Sequence, residues 1–89
     1  MKTKLDVKFE YNGQIFPVEV PPEQQIEGAW HRALAHFGIR PEDAQSQNLG
    51  LFIDGNVIDR TQSFEAAGVQ SGALLRIQPV VARTGWGRA

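Results

Sequence analysis

Residues 5–37 read LDVKFEYNGQIFPVEVPPEQQIEGAWHRALAHF, and within this stretch the hydrophobic period changes from that of a strand to that of a helix. Leu5, Val7 and Phe9 alternate with Asp6, Lys8 and Glu10, which predicts a strand with one buried and one wet face. Asn12-Gly13 suits the positive φ angles of a type I′ turn, and beyond it Phe16, Val18 and Val20 alternate with Pro17 and Glu19. Pro17 has no N–H to give to a ladder, so this second strand is expected at a sheet edge. Pro21-Pro22 ends it. From Gln24 to Phe37, Ile26, Ala29, Trp30, Ala33, Leu34 and Phe37 recur at intervals of three and four, the stripe of an amphipathic helix. Ile26, Leu34 and Phe37 are expected on its core side. Gly28 weakens the first turns, Gly38 suits the C′ position, and Pro41 prevents the helix from continuing.

The rest of the chain supplies the partners of that hairpin and helix. A polar stretch, RPEDAQSQN at 40–48, contains Glu42-Asp43 after a proline, the sign of a turn or a short helix start. Leu49, Leu51 and Ile53 then share one face of a strand whose opposite face carries Phe52. Asp54-Gly55 makes a second tight turn, with a possible short strand at Val57-Ile58. The last strand places Leu75 and Ile77 inward and Arg76 outward. The element order β-β-α-β-β, with one helix covering one face of a mixed four- to five-stranded sheet, predicts an α+β fold of the β-grasp type.

Eighty-nine residues, 42% of them hydrophobic, make one domain with a single core. A formal net charge of −1 gives no electrostatic footprint for nucleic acid. Cysteine is absent, which removes disulfides, thiolate nucleophiles and zinc-thiolate sites. The opening MKTKLDVKFE is charged and alternating, with no apolar run suited to a signal peptide or a membrane span, so the expected location is cytoplasmic. His31 and His36 stand five apart on the helix and so face different ways, which excludes an i, i+4 metal pair. No catalytic constellation or phosphate loop is legible. The chain is expected to be no enzyme and to use no cofactor or metal.

At this point the chain resembles a ubiquitin-like protein over residues 4–85. The carrying stretches are YNGQIFPVEVPP (11–22), HFGIRPEDAQ (36–45), LFIDGNVI (51–58) and above all SFEAAGVQSGALLRI (63–77). In the last, Phe64, Glu65, Gly68, Val69 and Ser71-Gly72 hold the pattern that leads into the final strand of the ubiquitin superfamily. The chain is similar, more narrowly, to small prokaryotic ubiquitin-like modifiers that accompany activating enzymes, conjugating enzymes and JAB-type peptidases. The resemblance implies a folded unit over 1–79 and a flexible tail over 80–89. It also implies a function: the C-terminal carboxylate is adenylated, passed to a cysteine of an activating enzyme and given to an amine or hydroxyl of a target protein.

That chemistry needs glycine at the acyl position, where a Cβ would obstruct the approach of nucleotide and thiol. The tail RTGWGRA at 83–89 has no diglycine. Gly85 lies one residue beyond the position of ubiquitin's terminal glycine, and four residues follow it. Removal of the segment 86–89 by a peptidase is therefore expected, with Trp86 after the cut; Gly87 is a second candidate terminus. Phe52 corresponds to the centre of ubiquitin's hydrophobic recognition patch, and Arg76 and Gln78 to its neighbours. Because those neighbours are polar, receptors that read ubiquitin are not expected to read this chain. Two other uses of the same fold remain open, a non-conjugated docking module and a sulfur carrier. The extension beyond Gly85 argues against the carrier. Lysine occurs only at 2, 4 and 8, which confines amine-linked chains to the N-terminal region.

Overall fold

The computed structural model of the chain describes residues 4–80. Its hairpin joins β1 (Leu5–Tyr11) to β2 (Gln14–Val20) through Asn12 at φ 52° and Gly13 at φ 80°, both left-handed, as a type I′ turn requires. The same device, Asp54 at 52° and Gly55 at 81°, joins β3 (Leu49–Ile53) to the two-residue β4 (Asn56–Val57). With β5 (Leu74–Pro79) the strands form one sheet in the order β2-β1-β5-β3-β4. The sheet is mixed because β1 and β5 run parallel while the other pairs are antiparallel. β2 is an edge strand, where the missing N–H of Pro17 costs no ladder bond to a further neighbour.

The helix α1 (Ile26–Phe37) crosses from β2 toward the other half of the chain. Gln25 gives it no side-chain cap. Its first donors are satisfied instead by the loop after β4: the N–H of Ile26 bonds to the Gln62 carbonyl and that of Glu27 to the Arg60 carbonyl, both at 2.9 Å. In return Phe64 and Glu65 donate to the carbonyls of Gln24 and Pro22. The helix start and the 60–65 loop are therefore one hydrogen-bonded unit. At the other end Gly38, at φ 74°, turns the chain so that the Ile39 N–H reaches the Leu34 carbonyl at 2.8 Å. A short second helix, α2 (Pro41–Ser46), follows with proline in its first turn. The observed order is thus β-β-α-α-β-β-β, the expected β-grasp plan in which the proline-led stretch forms the short helix α2 and the possible short strand falls at Asn56–Val57, one residue earlier than expected.

The core lies between α1 and one face of the sheet. Val7, Phe9 and Val20 from the hairpin, Ile26, Ala29, Trp30, Ala33 and Leu34 from α1, and Leu51, Leu75 and Ile77 from the other strands are all buried. Phe64 is fully buried and Val69 nearly so, held by the turn in which Val69 N–H bonds to the Phe64 carbonyl. Ile26 and Leu34 stand where the helical stripe predicts. Phe37 does not: it is only half-buried. It is the last residue of α1 and reaches the hairpin end of the sheet, where its ring meets Tyr11 at 5.7 Å and Phe16 at 6.3 Å between centroids. The sheet covers one side of that ring and solvent the other.

Candidate functional site

The face of the sheet turned away from α1 is built by register. Val57 pairs with Phe52, Phe52 with Arg76, Arg76 with Glu10, and Glu10 with Ile15. Paired residues share a face. These five side chains therefore form one row across all five strands, in the order β4, β3, β5, β1, β2. Its two ends are the exposed large apolar residues of the described chain, Val57 at 57% and Ile15 at 47%. In its middle Arg76 Nε donates to Glu10 Oε1 at 3.0 Å. Arg76 is exposed while Glu10 is half-buried, so water screens one side of the pair and its contribution to stability is small.

Of the residues picked from the sequence, Phe52 and Arg76 are brought together as direct cross-strand partners. Phe52 is half-buried, with Val57 on one side and Arg76 on the other. Gln78 sits one step along β5, opposite Gly50. It is exposed and faces outward with them. The candidate tail residues Gly85, Trp86 and Gly87 lie outside the described residues.

Three residues that the sequence reading passed over, Asn48, Gly50 and Val80, meet at the end of the described chain. Beyond the last ladder pair, Leu49 with Pro79, the N–H of Val80 donates to the Asn48 carbonyl at 2.9 Å and the Asn48 side-chain amide donates to the Val80 carbonyl at 2.8 Å. Asn48 holds φ 53°, a left-handed conformation that asparagine tolerates better than most residues. Gly50 lacks a Cβ, and a Cβ there would collide with the Val80 side chain and touch those of Phe52 and Val57. Val80 is thereby seated against the Phe52 end of the outer row. A shallow cleft of about 320 Å³ opens beside it, lined by Asn48, Gly50, Val57, Asp59, Arg60 and Val80 among others.

Charge near this cleft is organised around Arg60. Its guanidinium lies 4.1 Å from the centre of the Trp30 ring and bonds Glu27 Oε1 at 3.2 Å, while Glu27 Oε2 lies 3.0 Å from His31 Nε2. The Asp59 carboxylate accepts hydrogen bonds from the Thr61 hydroxyl at 2.7 Å and from its N–H at 3.0 Å. Those bonds, the hydroxyl's first, hold its pKa below the ordinary carboxylate range. His36 stacks on Phe16 at 4.0 Å, well away from His31 in its setting. Among the described residues no three His, Cys, Asp or Glu side chains are grouped to hold a metal ion. Nor is any described helix long and apolar enough to cross a membrane.

No family model and no curated protein sequence matches the chain. Solved structures do match. A ubiquitin from Caldiarchaeum subterraneum superposes with a TM-score of 0.70 at 16% identity, covering 92% of this chain and all of that one. The ubiquitin-like domain of yeast Ddi1 gives 0.68 at 22% identity, over 91% of this chain and 94% of the other. That of Plasmodium falciparum Dsk2 gives 0.69 at 18%, over 88% of this chain and all of the other. Such identities establish fold and nothing finer: the chain is a ubiquitin-like β-grasp domain in structure, with ubiquitin and ubiquitin-like domains as its structural neighbours.

Proposed function

We propose that this chain is a cytoplasmic, prokaryotic ubiquitin-like protein modifier, made as a precursor and activated at Gly85. A JAB-type peptidase adds water across the Gly85–Trp86 amide and releases the segment 86–89. The freed Gly85 carboxylate attacks the α-phosphorus of ATP on an activating enzyme, expelling pyrophosphate, and a cysteine thiolate of that enzyme then displaces AMP to give a thioester. After passage to a conjugating enzyme, an amine or hydroxyl of a target protein displaces the thiol. The chain itself supplies no catalytic group. It supplies a glycine acyl carbon free of a Cβ and a docking face.

The observation that supports this reading is the position of Val80, the last described residue. β5 lies in the middle of the sheet and ends at Pro79, and Val80 lies beside Gly50 on the side of Phe52 and Val57. Gly85 follows five residues later, a length that spans up to about 17 Å when extended. An enzyme docked on the outer row through Phe52, Arg76 and Gln78 would have the acyl glycine within reach of a cleft next to its docking surface.

A non-conjugated docking module is the second reading. It is favoured by the absence of a diglycine in RTGWGRA and by the exposed apolar side chains of Ile15 and Val57, which suit a binding partner whether or not the tail is used. Intact mass of the full chain, after incubation with a lysate of its own source, separates the two. The modifier reading expects loss of the mass of residues 86–89. A chain that keeps all its residues under conditions where the lysate's peptidases are active is the docking module.

A further inference from the structure

We propose that the outer row of the sheet docks face to face on the outer row of a second copy of this chain, in a weak two-fold dimer. From β4 to β2 the row reads Val57, Phe52, Arg76, Glu10, Ile15. Its two charges stand side by side in the middle, are of opposite sign, and have apolar side chains on either flank. A row of that form complements itself when its order is reversed. A two-fold axis lying in the interface, parallel to the strands and midway between β5 and β1, reverses it. Arg76 of each copy then lies opposite Glu10 of the other, and Phe52 opposite Ile15. The apolar flanks cover one another while each charge meets its opposite.

The charges also select the axis. A two-fold axis across the strands would set Arg76 against Arg76 and Glu10 against Glu10, a like-charge contact that disfavours that arrangement. With the axis along the strands the neighbouring row is compatible too: Lys8, exposed and paired with Leu74, meets the second copy's Leu74 and no cation. Within one copy the bond from Arg76 Nε to Glu10 Oε1 uses one of five guanidinium donors and one carboxylate oxygen. Each group therefore has capacity for its counterpart on the second copy, and four charges of alternating sign close a ring. Four strands about 4.8 Å apart, each contributing about five residues, give roughly 300 Å² of flat contact per copy, short of the roughly 800 Å² of a stable complex. The dimer is accordingly weak, and an enzyme on the same row displaces the second copy. It does not depend on the modifier reading.

The test follows amide chemical shifts of the isotope-labelled full chain in low-salt buffer, from about 20 μM to about 2 mM, a range that brackets the expected dissociation constant of about 0.1 to 1 mM. Phe52, Arg76, Glu10 and Ile15 should shift together along one binding curve. R76E and E10R should each weaken association at least about tenfold, because like charges face one another in their homodimers. An equimolar mixture of the two should associate as the parent does, since each variant's row then faces its opposite. The double variant E10R/R76E keeps the ion pair within each copy, so it carries the test even where a single variant loses its fold: it should associate with itself as the parent does, yet cause no shift in the labelled parent. Ile15→Ser leaves both charges in place and should weaken association at least about threefold. Shifts that do not change with concentration, or that fall on the α1 side, overturn the dimer. Single variants that associate like the parent, a mixture no tighter than either variant alone, or a double variant that binds the parent overturn it equally.

Discussion

Leu51 and Phe52 are consecutive residues of β3, and they belong to different parts of the protein's physics. Leu51 is fully buried against Leu75, Ile77 and the helix-facing core, whereas Phe52 turns to the outer row beside Arg76 and Val57. The inner face is uniformly apolar and is committed to stability. Its counterpart mixes apolar side chains with an ion pair, and contains a glycine where a larger residue would collide with the Val80 side chain. A face that only needed to be soluble would require neither a half-buried phenylalanine nor a Cβ-free position under Val80. The difference assigns folding to one side of the sheet, and the proposed function places recognition on the other.

Substitutions on the two faces can break that assignment. Leu51→Ala should have the largest effect, a loss of about 3 kcal/mol in denaturant unfolding, from lost burial and the cavity left behind. A loss below about 1 kcal/mol would mean that the inner face is loosely packed. Gly50→Ala should come next, at about 1 kcal/mol, with faster hydrogen exchange at the Val80 amide, because the new Cβ displaces the Val80 side chain. Unchanged exchange there would show that Val80 is not seated on Gly50. Phe52→Ala should cost less than about 1 kcal/mol, since its ring is only partly buried, while weakening capture by the activating enzyme. A cost near that of Leu51→Ala would make Phe52 a core residue and remove the recognition face.

The smallest effect is expected at Asp59. Its folded pKa is depressed by the hydrogen bonds from Thr61, so the carboxylate form favours the folded state. The sign follows from linkage: the contribution is present above the ordinary carboxylate pKa and is lost as pH falls through the lower folded value. Asp59→Asn should therefore be slightly less stable than the parent at neutral pH, with the gap closing in acid. A gap that is constant down to acid pH would show that the Thr61 bonds do not depend on the charge.

How much of this was legible in the chain depends on distance along it. Asn12-Gly13 fixes Glu10 opposite Ile15, and Asp54-Gly55 fixes Phe52 opposite Val57, because a two-residue turn sets its own register. Both ends of the outer row could thus have been read locally, although Ile15 and Val57 were not singled out. The joining pairs, Phe52 with Arg76 and Glu10 with Arg76, are set by the parallel placement of β5 between β1 and β3, which no local pattern encodes. Phe37 shows the limit of periodicity: the 3.6-residue stripe continues to the last helical residue, but the sheet that should cover it ends at the hairpin. Asn48 gave a weaker signal still. An asparagine between a helix and a strand suggests a left-handed residue, and only the folded chain brings it to Val80, thirty-two positions later.

The central claim, that Gly85 becomes the activated terminus after trimming, is tested most directly by three proteins: the full chain, a chain ending at Gly85 and a chain ending at Gly87. Each is mixed with the activating enzyme of its source and ATP, without the peptidase, and scored for a reductant-sensitive thioester. Only the chain ending at Gly85 should be charged, and Gly85→Val in that chain should abolish charging without disturbing the fold, since a β-branched side chain blocks the acyl position. Charging of the full chain as readily as the Gly85 form, or of none of the three, would contradict the account and leave a docking module in its place.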